Sequence, residues 1–408
     1  MASYLGIRDT LQWAGTSERP EDWLSTLAVI DPNGDAPFTA FLGQIASESV
    51  NSEVFNWWEK SYGAYRLFAN GGISTSDTSI ILETTAGGSV DAAQYVRKGF
   101  ILEHEDSGEQ ILVVGESYSG AIQISRSFNG VSAATIDDQD ALTILSNVHE
   151  TASDMPTGIQ TPVTQKTNYT QIFKMSLEAS RTELQTELRW APGGKYDEMK
   201  RESLQMLGRQ VEMAALFQGR VAPFAGPGGG VIKATGGLFS GYKGTPTFLD
   251  SGNVSAVGGL QTKATFNAFL KNLFAFGSKR RIVYAGGTWM QFFQDFCEGQ
   301  MTRMVSNEVV STFGQDVTEY QTHWGKIMCI VHPLFTRHAD WTKNAVFIDP
   351  ENPAGQMKRM TMLPIKFLRN TQGRGEDLRR DGWIGEFGFR WPGAIAHGIQ
   401  TGVTGFQG

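Results

Sequence analysis

Cysteine is nearly absent. The 408 residues carry only Cys297 and Cys329, too few for a disulfide scaffold, and no grouping of Cys with His has the spacing of a structural zinc site. Both are expected as buried thiols. Charge is scarce too, at 19% Asp, Glu, Lys and Arg against a usual ~25%, and no basic excess exists: 35 Lys+Arg face 42 Asp+Glu, a net charge of −7. That balance argues against a general nucleic-acid binder. No apolar run approaches the ~18 residues of a membrane helix. The opening Met1-Ala2-Ser3-Tyr4-Leu5-Gly6-Ile7-Arg8-Asp9 has neither the cationic start nor the apolar stretch of a secretory signal. Membrane and secretory roles are therefore not expected, the chain is expected to be made and kept in cytoplasm, and Asn168-Tyr169-Thr170 is not read as a glycosylation acceptor.

Glycine is what the chain has in excess, with 47 residues against a usual ~7%. A subunit enclosed by neighbours can replace surface charge with polar and apolar contact, so low charge with high glycine hints at assembly. The length itself allows two or three domains with sizeable cores.

Residues 1 to about 50 mix turn formers such as Pro32-Asn33-Gly34 with isolated aromatics, Trp13 and Trp23, and suit an extended arm. From about Ile80 to Leu145, short apolar or alternating runs are separated by Gly87-Gly88, Asp106-Ser107-Gly108 and Asn129-Gly130. Turn signals at this spacing predict a small antiparallel barrel or sandwich with its own core. Asn168 to Leu177 has strand character. After Pro192-Gly193-Gly194, the residues Tyr196, Leu204, Leu207, Val211 and Ala214 fall at helical spacing and predict a long helix ended by Gly219, Pro223 and Pro227. Gly226 through Gly252 is read as loop. Two further amphipathic helices are predicted, one on Phe266, Phe269, Leu270, Leu273 and Phe274, the other on Trp289, Phe292, Phe293, Phe296 and Cys297. Strands at Lys326–Val331, Ala345–Ile348 and Trp383–Phe389 complete an α+β chain whose helices and antiparallel strands do not alternate as βαβ units.

The sharpest enzyme-like segment is Gly115-Glu116-Ser117-Tyr118-Ser119-Gly120, which resembles the nucleophile segment of serine carboxypeptidases, with Asp349 and His397 downstream. A nucleophile elbow needs strand, tight turn and helix, whereas the alternation of Ala121-Ile122-Gln123-Ile124-Ser125 predicts a hairpin. The alternative of a serine hydrolase with nucleophile Ser117 is kept on that segment alone. Gly226–Gly230 lacks the Gly-Lys-Ser/Thr ending of a phosphate loop and is read as a contact loop. The six histidines, His104, His149, His323, His332, His338 and His397, form no His-Glu-x-x-His motif and are read as exposed or satisfied in the core. His104-Glu105-Asp106-Ser107-Gly108-Glu109 is read as a solvated hairpin tip. Lys279-Arg280-Arg281, Lys358-Arg359 and Arg379-Arg380 are expected in ion pairs between subunits. No catalytic, cofactor or metal residue is assigned.

At Asn168-Tyr169-Thr170-Gln171-Ile172-Phe173, Ser180-Arg181-Thr182, Asp197-Glu198-Met199 and Leu207-Gly208-Arg209-Gln210-Val211-Glu212, with the later Gly325, Gly385-Glu386 and Ala396-His397-Gly398, the chain resembles the major head proteins of tailed bacteriophages whose core has the fold named for coliphage HK-ninety-seven. The resemblance covers most of the chain beyond about Val54. It implies an N-terminal arm at 1–54, a first limb of an extended E-loop at 55–79, an inserted β domain at 80–150, and a second limb at 151–194. A spine helix at about 195–218 would lie in a peripheral region at 195–259, followed by an axial domain at 260–368 and a return to the peripheral domain at 369–408. The resemblance also implies a structural subunit, not an enzyme, that assembles as hexamers and pentamers into an icosahedral head in the bacterial host cytoplasm. Its implied partners are further copies of the chain, a portal, possible scaffold, decoration or cement proteins, and packaged double-stranded DNA at the inner surface.

Overall fold

The computed structural model describes residues 45–60, 65–84, 95–115, 120–159, 163–185, 195–249, 251–298, 310–312, 315–353 and 355–407. The chain divides into two compact units, one formed by the residues up to Trp57 and from Thr167 onward, the other by Trp58–Lys166. The expected arm at 1–54 lies outside the described residues up to position 44, as does the Pro192-Gly193-Gly194 break.

In the larger unit, three strands hold the centre of a seven-stranded mixed sheet: Ala345–Ile348, Arg280–Ala285 and Lys326–Val331. Alternate side chains of a strand point to opposite faces, and here both faces are covered. Ile282, Tyr284, Met328, Ile330, Val346 and Ile348 enter one core; Val283, Ala285, Ile327, Cys329, Ala345 and Phe347 enter the other. Burial on both sides is why these strands read as unbroken apolar runs. The second core is closed by the helices Lys263–Leu273 and Gly287–Glu298, which contribute Phe266, Phe269, Leu270, Leu273, Trp289, Phe292, Phe293, Phe296 and Cys297. Thr262 caps the first of these helices by accepting the Thr265 N–H at 3.3 Å. Both helices stand where the sequence puts them.

Arg280–Ala285 runs parallel to Lys326–Val331 and antiparallel to Ala345–Ile348. The Gly287–Glu298 helix lies between the parallel pair in sequence, so one strand–helix–strand crossover departs from the expected antiparallel plan, as do the parallel pairs of Ser47–Ser49 with Lys358–Leu368, Val254–Ala256 with Gly398–Thr401 and Leu260–Thr262 with Gly405–Gln407. Its first strand opens with two arginines, which hides its apolar half from a search for hydrophobic runs.

The first core also receives the long helix Lys195–Phe217 and a four-stranded sheet ordered Ser47–Ser49, Lys358–Leu368, Leu378–Arg390, Gln171–Ser180. The helix buries Ser203, Leu207, Val211, Glu212, Ala214, Ala215 and Leu216. Leu204, expected on the apolar stripe, is exposed. One residue along a helix is a rotation of about 100°, and the inward place is taken by Ser203, whose Oγ accepts the Trp383 indole N–H at 3.1 Å. Within the span read as loop, Val231–Ala234 is a strand paired with Val221–Ala225. Gly226–Gly230 turns between them, closed by the Gly226 N–H on the Gly230 carbonyl at 2.7 Å.

The smaller unit is an antiparallel sheet ordered Ser79–Ile80, Ile122–Ser125, Gln110–Val113, Phe100–His104, Ala141–Asn147, Arg66–Ala69, Leu82–Glu83. The two ends of this order are consecutive halves of one segment, separated by Ile81, so the sheet returns on itself as a small barrel. Leu67, Ala69, Ile80, Leu82, Leu102, Ile111, Val113, Ile122, Ile124 and Leu142 fill it. The barrel reaches further than 80–150, because Arg66–Ala69 pairs with both Ala141–Asn147 and Leu82–Glu83. That strand is short and ends at Asn70-Gly71-Gly72, leaving little periodicity to read.

Candidate functional site

The segment Asn168-Tyr169-Thr170-Gln171-Ile172-Phe173 follows the ladder formed by Val54–Glu59 and Thr164–Tyr169, and its polar side chains turn inward. The Asn168 side chain is fully buried. Its Nδ2 donates to the carbonyls of Phe389 at 2.8 Å and Gly236 at 3.0 Å, and to Thr235 Oγ1 at 3.3 Å. Its Oδ1 accepts the N–H groups of Gly236 at 2.7 Å and Tyr169 at 2.9 Å. One amide thereby satisfies backbone groups on three segments that are remote in sequence. Gln171 Oε1 accepts from Gln218 Nε2 at 2.6 Å and from the Thr235 N–H at 3.1 Å. Phe173 stacks on Phe387 with centroids 4.8 Å apart.

Thr170 Oγ1 donates to Glu386 at 2.8 Å, and Lys233, almost fully buried, places its Nζ 2.7 Å from Glu386 and 3.1 Å from Glu53. Burial works to raise the Glu386 carboxyl, but the bonds from Lys233 and Thr170 together with the lysine's charge prevail and hold it below its ordinary range. A buried pair of this kind adds little net stability over apolar residues, yet losing one partner strands the other charge. Gly388 sits opposite the Tyr169 carbonyl and the Phe55 ring, where any Cβ would collide; glycine is required for the strands to approach this closely.

Two more buried charge clusters brace the same unit. Glu212 of the long helix meets His332 Nε2 at 2.5 Å, both side chains without solvent exposure, and tethers the helix to the end of strand Lys326–Val331. Arg281 and Asp349 form an ion pair at 3.1 Å, likewise fully buried. Asp349 also accepts Ser278 Oγ at 2.6 Å, the Ser278 N–H at 2.7 Å and the Glu351 N–H at 3.0 Å. Arg281 donates to the carbonyls of Phe276 and Ser278, both at 2.6 Å, and Leu273 at 3.1 Å. Arg281 is thus held inside its own chain, not between subunits. The same holds for Lys358 with Glu48 at 2.9 Å, Arg380 with Glu178 at 2.6 Å and Arg379 with Asp381 at 2.9 Å. Adjacent basic residues in a strand face opposite sides, so a basic pair in the sequence need not form a basic patch.

Ser117 lies outside the described residues. Its flanking strands, Gln110–Val113 and Ile122–Ser125, pair antiparallel as a hairpin, as the alternation predicts, and among the described residues no helix stands between Gly120 and Ser125. The partners a hydrolase would need are otherwise engaged. His397 Nδ1 accepts the Asp349 backbone N–H at 3.0 Å, whereas a triad histidine donates from that atom to a carboxylate. Burial, with help from Arg281 and against the pull of Asp349, pushes the His397 imidazole down to about 3, which leaves a poor base. Both thiols are buried as expected, and burial pushes Cys297 up to about 12 and Cys329 well above its ordinary value.

The barrel's hairpin tip is not fully solvated. Glu109 is completely buried and takes a two-pronged ion pair from Arg126 at 2.8 and 2.7 Å, plus the N–H groups of Ser127 and Ala134, each at 3.0 Å. Burial opposes ionisation, but these four donors outweigh it and keep the carboxyl below its usual range. His104 is also buried, beside Asp106 and Asp140. The partnerships of Glu109 with Arg126 and of His104 with Asp140 are not visible in the sequence, since strand pairing brings these residues together. In the clusters around Asn168, Glu212, Asp349 and Glu109 the polar atoms are spent on holding segments together.

Exposed apolar groups also gather on one hairpin. On the hairpin of Val221–Ala225 and Val231–Ala234, Val221, Phe224, Val231 and Ile232 all stand in solvent.

The family model described as "SU10 major capsid protein" matches residues 6–404. A curated major capsid protein from Pseudomonas phage PaMx41 is 22% identical over 370 residues, covering 85% of this chain and 80% of that protein. Among solved structures, one titled Mycobacterium phage Bobi overlaps 96% of this chain and 98% of its own at 9% identity, with a TM-score of 0.45. The capsid of a native GTA particle overlaps 98% and 100% at 10% identity and a TM-score of 0.42. The sequence match carries the assignment; these superpositions are too loose to add to it.

Proposed function

This chain belongs to the SU10 major capsid protein family, and on that premise we propose that it self-assembles as hexamers and pentamers into the icosahedral head that encloses phage double-stranded DNA. The family match over residues 6–404 carries the reading. In this reading the core has the fold named for coliphage HK-ninety-seven: 1–54 is the N-terminal arm, the helix Lys195–Phe217 is the spine, 195–259 and 369–408 are peripheral, and 260–368 is axial. The chain's excursion between the ladder strands Val54–Glu59 and Thr164–Tyr169 is the E-loop region, into which the barrel is inserted. Portal, scaffold, decoration or cement proteins and the packaged DNA are its partners, and assembly takes place in the host cytoplasm.

Three features support a mechanical role. The buried clamps around Asn168, Asp349 and Glu212 make the larger unit stiff, and closure of a shell depends on a fixed angle between subunits. The apolar hairpin 221–234 would be covered by contact within a capsomer. A net charge of −7 suits an inner wall that must not grip DNA, because each phosphate contact would resist movement.

Negative-stain electron microscopy of the purified chain, with light scattering for mass, tests the proposal. Rings or closed shells are expected. A monomer at every salt and protein concentration, labelled by an active-site serine probe through Ser117, would replace the structural reading with the hydrolase.

A further inference from the structure

We infer that the barrel unit carries a divalent-metal site formed by His104, Asp106 and Asp140, suited to a first-row transition ion such as Zn2+ with water completing its coordination. The pairing of Phe100–His104 with Ala141–Asn147 brings the end of one strand beside the residue that precedes the other, and the turn after His104 folds Asp106 back over them. One imidazole nitrogen and one oxygen from each carboxylate lie within 4.8 Å of one another. In a tetrahedral site, ligands about 2.0–2.2 Å from a shared ion stand about 3.3–3.6 Å apart, a spacing that His104 Nε2 and Asp140 Oδ2 already meet at 3.3 Å, so closing the site requires shifts of Asp106 of up to about 1.5 Å. Asp106 is exposed and its side chain is free to make them.

His104 is oriented from behind. Its side chain is only 3% exposed, Nδ1 lies 2.7 Å from Ser107 Oγ, and Nε2 faces Asp140 Oδ2 at 3.3 Å. Ser107 Oγ also accepts the Glu109 N–H at 3.2 Å. A hydroxyl can serve Nδ1 as donor or acceptor by rotating its proton, so the ring can hold its proton on Nδ1 and present a bare Nε2 toward Asp140. This is the outer support that metal-binding histidines characteristically receive. Asp140 is fixed as well, by the Asp137 N–H at 2.7 Å. Among the described residues neither Asp106 nor Asp140 is paired with lysine or arginine, whereas neighbouring Glu105 is neutralised by Arg66. The mixed nitrogen and oxygen set favours a transition ion over Mg2+ or Ca2+, which prefer oxygen alone.

The site does not depend on the capsid reading. Its test is calorimetric titration of ZnCl2 into the full chain after EDTA treatment, repeated with CoCl2 for its visible absorption. One saturable site per chain is expected, weakened at least tenfold in Asp106→Asn, an exposed position where the substitution leaves the fold intact, and abolished in His104→Gln. Circular dichroism checks that each variant is folded. Absence of saturable binding, or binding that Asp106→Asn leaves unchanged, would overturn the inference.

Discussion

Lowering the pH should weaken the larger unit through one residue, His397. The imidazole has no solvent exposure, its Nδ1 is occupied by the Asp349 N–H, and Nε2 has no partner among the described residues. Burial, reinforced by Arg281, outweighs the attraction of Asp349 and sets the folded value at about 3, against an ordinary 6.5. Between those values the unfolded chain binds a proton that the folded chain refuses, so stability is lost as pH falls through 6.5 toward 3. At pH 5 the unfolded imidazole is about 97% protonated and the folded one about 1%, which corresponds to a loss of about 2 kcal/mol relative to pH 8. The carboxylates of this unit held below their ordinary range, Glu386 and Asp381, contribute mainly at lower pH. His397→Asn supplies an oxygen in place of Nδ1 for the Asp349 N–H and cannot titrate. Urea unfolding of the unassembled chain can be followed by tryptophan fluorescence, since Trp289, Trp341 and Trp391 share the unit with His397. The gap between wild type and variant should narrow by about 2 kcal/mol from pH 8 to pH 5; parallel pH profiles would refute the assignment.

Asn168→Ala should cost about 3–5 kcal/mol, because it leaves the buried N–H of Gly236 and the carbonyl of Phe389 without their partner and each such group costs about 1–3 kcal/mol. A change under about 1 kcal/mol in the same urea assay would mean that solvent replaces the amide. Excising 60–163 with a short linker should leave a folded larger unit, since Val54–Glu59 and Thr164–Tyr169 already pair at the junction. Removing only 84–150 should instead give insoluble protein, because Leu67, Ala69, Ile80 and Leu82 lose the strands that bury them; circular dichroism and gel filtration of both deletions decide the boundary.

What the sequence made legible was whatever depends on neighbours in the chain. Phe266 to Leu273 and Trp289 to Cys297 announce their helices because three- and four-residue spacing is local, and the barrel's strands announce themselves through turns such as Asn129-Gly130. The clamps were hidden because each is a coincidence of distant residues: Glu212 with His332, Lys233 with Glu386, Arg281 with Asp349. A carboxylate in a sequence looks the same whether it ends in water or in a core, and the difference is decided by a partner a hundred residues away. Glu109 shows the consequence, since its turn is written plainly in Asp106-Ser107-Gly108 while its burial follows only once Arg126 arrives just past the end of the next strand. The motif from Asn168 to Phe173 stands between these cases. It is recognisable as a string, yet its meaning is tertiary: Asn168 joins three backbones, Thr170 and Gln171 fix two side-chain partners, and Phe173 meets Phe387 across the sheet. The segment that is easiest to recognise in the sequence is thus the one that ties the strand Leu378–Arg390 and the stretch from Gln218 to Gly236 to a third part of the chain, a meaning that no local pattern carries.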